Sequence, residues 1–414
     1  MKNVAIIAEF NPFHNGHKRI FESARENGAD NIIVIMSGDY VQRGLPAVLD
    51  KFTRTYQALE CGADLVLELP VYYSLGSADY FASGAVSVIN HLGCIDTLLF
   101  GSETGNIDMI RNVAQVLNSE PSEYLNELKK ASKKGLSFPM ARQSALQACM
   151  PSLTDDNTLI VSPNNILAIE YTKALLRTGS QVKPSTLSRN DKGYSSTFLP
   201  EDNFFASATA IRKAILSSDS PNMDLELIHS FVPQAVYNSI ESYCREGDYS
   251  FASPKKLSSF LRYKLNLEKM EGFTKYLDVH GDLSDKIINH LNEFDDLEQF
   301  ALLLKSKDIT YTRLCRSLLH ILLNITSENM EEYKQNGYTT YLRVLGLKKS
   351  SSSLIKTIKS NSDLPLIQQL SKAGNMLDKR ELKLLEETIT ASSIYDLAYC
   401  HKPKNEYTKE LVYV

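Results

Sequence analysis

No two of the six cysteines (Cys61, Cys94, Cys149, Cys244, Cys315 and Cys400) stand as a Cys-x-x-Cys pair. That scatter argues against a thiolate zinc site and against a scaffold built on disulfides. Positive charge is not in excess either. The formal net charge is −4, so there is no global basic field, and any contact with nucleic acid has to be a local patch. No stretch approaches the roughly 18 apolar residues that suggest a membrane span. The first apolar run is too short for a signal peptide, and Glu9 interrupts it. A reducing cytoplasm is the expected location. What remains is ordinary globular composition, 43% hydrophobic and 23% charged over 414 residues, enough for two or three domains with a sizeable core.

Strand and helix patterns alternate over the first hundred residues. Val4–Phe10, Asn31–Met36, Asp64–Leu69 and Thr97–Phe100 read as strands. Helices are expected over about 16–28, 50–61 and 78–92, closed by Gly28, Gly62 and Gly93. Continuous apolar strands separated by helices predict an α/β fold with a parallel sheet covered on both faces. In such sheets ligands bind beyond the carboxyl ends of the strands. Asn11–His17, Ser37–Gly44, Pro70 and Gly101–Glu103 all fall there. Residues 106–178 read as helices, with Pro163-Asn164-Asn165 as one N-terminus. Gln181–Leu187 is a candidate fifth strand, and Ser188–Tyr194 a polar loop. Beyond about residue 220 the alternation ends and the pattern is mostly helical, as at Leu314–Leu323 and Ser353–Ile358. Two domains are expected, 1–220 and 221–414.

The sequence His14-Asn15-Gly16-His17 follows the first strand directly. It sets two imidazoles three residues apart at a helix N-terminus, where unpaired N–H groups and the positive dipole end favour an anion such as a nucleotide phosphate. Gly16 lacks a Cβ and suits close approach, and Lys18 and Arg19 add charge. Ser207 and Thr209 can cap a second helix whose N-terminus also suits phosphate, with Arg212 and Lys213 in its first turns. An isolated His-x-x-His is more often a plain helix start, but the strand before it, Gly16 and the matching Ser207/Thr209 helix favour nucleotide binding. A metal role is not expected, because no His-Glu-x-x-His frame or third ligand is near. Arg43, Lys51 and Arg54 either reach a triphosphate or line a solvated helix face. Glu68 receives no role. Gly101 either admits the nucleotide closely or simply ends its strand, and Asn164 or Asn165 either bonds the nucleotide or caps a helix.

The string Glu9-Phe10-Asn11-Pro12-Phe13-His14-Asn15-Gly16-His17 is more specific than its last four residues. Together with Met36-Ser37-Gly38, Gln42-Arg43-Gly44, Leu67-Glu68-Leu69-Pro70 and Pro163–Leu167, it resembles the bacterial tRNA(Met) cytidine acetate ligase family of the His-x-Gly-His nucleotidylyltransferase superfamily. Ala206–Lys213 resembles the superfamily's second signature, Ser-Ser-Thr-x-x-Arg, with Ala206 and Ala208 standing for other small residues. The resemblance runs through most of the chain and is strongest over about the first 215 residues.

That resemblance implies a Rossmann-like nucleotidylyltransferase domain followed by a mostly helical, tRNA-binding one. It implies ATP, and Mg2+ is expected to accompany the triphosphate, held largely by phosphates and water rather than by a protein cage. The implied ATP contacts are Ile7, Ala8, Glu9, Phe10, Asn11, Pro12, Phe13, His14, Asn15, Gly16, His17, Lys18, Arg19 and Ile20, then Gly101, Asn164 in preference to Asn165, and Arg189. Catalytic roles fall to His14, His17, Ser207, Thr209 and Arg212. The implied substrates are acetate, activated as acetyl-adenylate, and elongator tRNA(Met), acetylated on the exocyclic amine of its wobble cytidine. No membrane or protein partner is implied. A carboxylate with a pKa near 4 is already ionised at pH 7, so the lack of an obvious nucleophile–base pair is consistent with acid activation.

Residues 301–360 hold ten Lys/Arg against four Asp/Glu, an excess suited to phosphate contacts. Lys305, Lys307, Arg313 and Arg316 are the expected tRNA contacts, with Arg343, Lys348, Lys349, Lys356 and Lys359 adding charge and Tyr311 and Tyr341 available for base stacking. The alternative is a small-molecule adenylyltransferase of the dinucleotide-cofactor type, which leaves this basic region unexplained.

Overall fold

The computed structural model describes residues 1–136, 138–150, 162–189, 199, 205–216, 225–247, 250–307, 309–403 and 405–414. The strands are β1 (Asn3–Ala8), β2 (Asn31–Ser37), β3 (Tyr40–Val41), β4 (Leu45–Pro46), β5 (Leu65–Leu69), β6 (Thr97–Ser102), β7 (Lys183–Ser188), β8 (Leu342–Leu347), β9 (Leu366–Ile367) and β10 (Val412–Tyr413). The main sheet runs β10-β8-β5-β2-β1-β6-β7, with β9 paired to β8. β5, β2, β1, β6 and β7 are all parallel, as the apolar runs predict. Their order places the topological switch between β1 and β6, where a doubly wound sheet opens a crevice at its carboxyl edge.

Helices α1 (Asn15–Glu26), α2 (Lys51–Glu60), α3 (Val71–Ser74) and α4 (Ala78–His91) connect the first strands. After β6 come α5 (Ile107–Ser119), α6 (Ser122–Lys133), α7 (Phe138–Cys149) and α8 (Pro163–Arg177), and after β7 comes α9 (Ala208–Leu216). The C-terminal half contains α10 (Glu226–His229), α11 (Gln234–Glu246), α12 (Pro254–Glu268), α13 (Gly281–His290), α14 (Leu297–Leu304), α15 (Tyr311–Leu322), α16 (Ser327–Gln335), α17 (Ser352–Asn361) and α18 (Lys379–Tyr399). The boundary expected between residues 220 and 221 falls outside the described residues.

Strand alternation divides the core into two clusters, one on each sheet face. Val4, Ile6, Ile32, Val34 and Val66 pack with α1, α2, α9 and α11. Ala5, Ile7, Ile33, Ile35, Leu65 and Leu67 face the other way, into a larger cluster that includes α4, α8 and most C-terminal helices. Both clusters draw on residues from either half of the chain.

The C-terminal half is not wholly helical, because β8 pairs antiparallel with β5, Leu65 opposite Leu347. Tyr341 and Arg343 therefore depart from the expected RNA surface. Tyr341 is core. Arg343 is buried with its Nη1 2.5 Å from Glu68 and its Nη2 2.6 Å from Glu406. Lys51 belongs to the same cluster, 2.7 Å from Glu68, 2.5 Å from Glu406 and 2.8 Å from the Ser392 hydroxyl, so it is neither a triphosphate ligand nor on a solvated face. Burying these cations is tolerable only because carboxylates meet them at hydrogen-bonding distance.

Candidate nucleotide-binding site

Three segments converge at the switch point. In the first, the chain leaves β1 through Glu9–Phe13, and Phe10 and Phe13 anchor the loop inward. Their ring centroids lie 4.8 Å apart, and they lie 5.9 and 5.5 Å from Phe21. His14 is the N-cap of α1, and its Nδ1 accepts the Gly16 N–H at 3.1 Å. Three residues on, His17 Nδ1 accepts the His14 N–H at 3.2 Å. The two imidazoles thus form a reciprocal capping box, with rings stacked at 3.8 Å between centroids.

This arrangement fixes the tautomers. A nitrogen that accepts carries no proton, so each neutral ring bears its proton on Nε2 and presents that nitrogen as a donor. Burial, then the Arg189 and Arg212 guanidiniums, push His14 down to about 3. Burial, then His14 and Arg189, hold His17 well below the usual imidazole range. Both rings are neutral donors at pH 7.

The second segment opens α9. Ser207 Oγ accepts the Ala210 N–H at 3.0 Å, capping the helix. Arg212 donates from Nη1 to the Asn11 carbonyl at 2.6 Å and from Nη2 to Thr209 Oγ1 at 3.1 Å, tying α9 to the first loop. Burial brings the Arg212 guanidinium down to about 10. It stays charged at pH 7. Arg43, exposed on the β3–β4 turn, is close enough to Arg212 to oppose its charge.

The third segment joins β6, β7 and α8. Arg189 follows β7, donates its N–H to the Ser102 carbonyl at 2.8 Å, and reaches Asn164 Oδ1 from Nη1 at 3.0 Å. A Cβ on Gly101 would lie 2.5 Å from Arg189 Nε and 2.8 Å from its Cδ, so only glycine leaves room for the guanidinium there. Asn164 Nδ2 donates to Glu103 at 2.8 Å. Asn165 is buried and accepts the Thr104 N–H at 3.1 Å. Of the two asparagines, Asn164 shares a partner network with Arg189.

Sequence reasoning assigned no role to Glu103 or Arg54 as organisers. Glu103 accepts the N–H groups of Asn164 and Asn165 at 3.2 and 2.8 Å, occupying the N-terminus of α8. Arg54 is fully buried and donates to the carbonyls of Leu49, Glu9, Ser37 and Gly38. It binds together the carboxyl ends of β1 and β2 and so departs from both readings considered for it. Nothing local marks Arg54, since its acceptors are backbone groups from other segments. Glu103 had a weak signal, an acidic residue just past a strand-end glycine.

The remaining expected contacts divide by environment. Ile7 and Ala8 end β1, while Phe10, Pro12, Phe13 and Ile20 are buried. Glu9 Oε1 accepts the Gln42 N–H at 2.9 Å. Asn15 turns to the 225–233 segment, its N–H bonding the Phe231 carbonyl and its side chain the Ser230 carbonyl. Lys18 is exposed 3.7 Å from Glu22, and Arg19 lies over the Phe205 ring. Residues 190–194 of the polar loop lie outside the described residues. Lys305 and Lys307 are exposed and Arg313 is half-buried. Arg316 departs from the expected RNA surface. It is 9% exposed, 3.6 Å from Asp278, and donates to the Gln42 carbonyl at 3.4 Å.

Among the described residues no cluster of three or more His, Cys, Asp or Glu is placed to hold a metal, and no helix is long and apolar enough to cross a membrane.

The chain resembles known proteins over nearly its whole length. A family profile described as HIGH Nucleotidyl Transferase matches residues 1–410. A tRNA(Met) cytidine acetate ligase of Clostridium perfringens is 37% identical over 405 residues, covering 95% of either chain. One from Bacillus subtilis is 34% identical, covering 96% of this chain and 92% of the other. The crystal structure of Thermotoga maritima TmcAL bound with alpha-thio ATP superposes with a TM-score of 0.90 at 28% identity, over 100% of this chain and 99% of that one.

Proposed function

Because this chain belongs to the HIGH nucleotidyl transferases and, within them, to the tRNA(Met) cytidine acetate ligase family, we propose that it is an ATP-dependent ligase that acetylates the wobble cytidine of elongator tRNA(Met). The observation that carries the reading is the stacked His14–His17 pair, whose Nδ1 atoms are consumed by the helix start and whose protons therefore sit on Nε2. It supplies two preorganised donors at a helix N-terminus, beside the Arg212 and Arg189 guanidiniums.

In the first step an acetate oxygen attacks the α-phosphorus of ATP. The new P–O bond forms as the bond to pyrophosphate breaks, and pyrophosphate leaves with the electron pair. Charge concentrates on phosphate oxygens in this transition state, where fixed donors lower the barrier. His14, His17 and Arg212 face the phosphates, Ser207 and Thr209 hold α9 and Arg212 in place, and Gly101, Asn164 and Arg189 receive the nucleoside end. In the second step the cytidine amine attacks the acetyl carbon, the bond to AMP breaks, and the amine releases a proton to water. Mg2+ fits as an ion arriving on the triphosphate and held by phosphate oxygens and water, since Glu9 and Glu103 are engaged with backbone N–H groups. Lys305, Lys307 and Arg313 belong to the tRNA side. The setting is the cytoplasm, with no protein partner required.

The test is ATP–pyrophosphate exchange without RNA across a series of small carboxylic acids. Acetate is expected to support exchange well above formate, propionate or no acid. Exchange that ignores added acids but responds to a nucleotide monophosphate would establish the dinucleotide-forming alternative instead.

A further inference from the structure

Helix α12 carries a face that its packing leaves unexplained. Leu257, Leu261 and Leu265 are fully buried against the core. The opposite side should be polar, yet Phe260, Tyr263 and Leu267 are 39%, 71% and 65% exposed, and Met270, in the turn just past the helix end, is 90% exposed. The spacing of three and four residues sets the three helical ones on one stripe. Beside it runs a second line. Lys255, Arg262 and Lys269 recur every seven residues and are all exposed, which sets them on one side of the helix at intervals of about 10 Å. Among the described residues no carboxylate pairs with these three cations. The nearby Glu268 is taken by Lys264 and Lys275.

The position of the helix is equally informative. Just before it starts, the Ala252 N–H bonds the Val48 carbonyl at 3.1 Å, and the Val48 N–H bonds Asn11 Oδ1 at 2.8 Å. Asn11 lies in the nucleotide loop. The helix therefore begins two hydrogen bonds from the nucleotide loop and is about 22 Å long. A row of unpaired cations flanked by exposed rings suits a polyanion that also offers flat faces, and that is single-stranded or loop RNA.

Resting on the ligase reading above, we propose that the exposed face of α12 is a tRNA-binding surface, with Lys255, Arg262 and Lys269 contacting phosphates and Tyr263 stacking on an unpaired base near the anticodon. None of these four residues touches the nucleotide machinery, so acetate-dependent exchange without RNA serves as the internal control.

The experiment compares the full chain with the triple variant K255E/R262E/K269E and with Tyr263→Ala, titrating an elongator tRNA(Met) transcript at several salt concentrations. The triple variant is expected to raise Kd at least tenfold and to flatten the slope of log K against log salt by about 2 units, close to 0.7–0.9 per lost phosphate contact. Tyr263→Ala is expected to raise Kd severalfold with an unchanged slope. Exchange should be unaltered in both. Wild-type Kd values in both variants would overturn the assignment while leaving the ligase reading intact. An unmodified chain that binds no tRNA would overturn both. If Tyr263→Ala instead converts a dimer to a monomer in sedimentation with tRNA affinity unchanged, the face is a contact between two copies and the proposal fails.

Discussion

His14 performs two tasks that a change to alanine would remove together. Its Nδ1 caps α1 through the Gly16 N–H, and in the mechanism proposed above its Nε2–H is the donor offered to phosphate. Asparagine separates them, since it is a strong N-cap but does not place a donor where the imidazole edge lies. His14→Asn is expected to keep the melting temperature within a few degrees while lowering kcat/KM for ATP in exchange by about 10²–10³-fold, the scale for one lost transition-state donor. His17→Gln is the matching change at the third helical position, where Gln can still reach back to the cap. The acid side of the pH profile follows from the same burial. With His14 at about 3 and His17 well below the usual range, neither ring titrates near pH 6.5, about where a free imidazole does. The kcat/KM profile for ATP should show no imidazole step there. A limb near pH 6.5 in the wild type that vanishes in His14→Asn would overturn the neutral-donor assignment.

Between elements, the site depends on β6 and β7 ending side by side, and Gly101 is where that can be tested. A methyl group there would meet Arg189 at 2.5–2.8 Å, so Gly101→Ala should expel the guanidinium and break its bond to Asn164. Losing a hydrogen bond to a charged group, about 1.5–3 kcal/mol, should raise KM for ATP roughly tenfold or more. Titration calorimetry with a non-hydrolysable ATP analogue reads the same loss, and unchanged affinity would detach Arg189 from the nucleotide. The elements forming this rim were legible from the sequence. β1, β2, β5 and β6 are short apolar runs, and the glycines ending the preceding helices at 28, 62 and 93 adopt the positive φ that stops a helix there. Contacts made through backbone were not legible. Arg54 and Lys51 lie three residues apart on α2, a spacing that on a surface helix reads as one charged stripe. Only the folded sheet shows that Arg54 collects four carbonyls and Lys51 three carboxylates, those of Glu68, Glu406 and Asp39.

Across the whole molecule, the least legible feature is the joining of the two ends of the chain into one sheet. Leu342–Leu347 contains an arginine and stands in a basic stretch, so locally it resembles surface. Its countercharges, Glu68 and Glu406, lie 275 and 63 residues away. Glu406 sits just ahead of β10, which pairs with β8, so the C-terminal tail supplies both the last strand and the charge that lets Arg343 be buried. Burial alone would raise the Glu406 carboxyl, but Lys51 and Arg343 bring it down to about 2. Glu406→Gln leaves those two cations to Glu68, with Asp39 3.9 Å from Lys51, a loss of about 3–5 kcal/mol on the scale of broken buried pairs, measurable as a lower urea midpoint at pH 7. The pH dependence gives a second signature. A carboxyl depressed in the native state stabilises it above the unfolded-state pKa, and that contribution fades as pH falls through the native value. Wild-type and variant stabilities should therefore converge between about pH 4.5 and 2. Equal midpoints at pH 7 would show that Glu68 and Asp39 balance both cations and that the tail closes the sheet by packing rather than by charge.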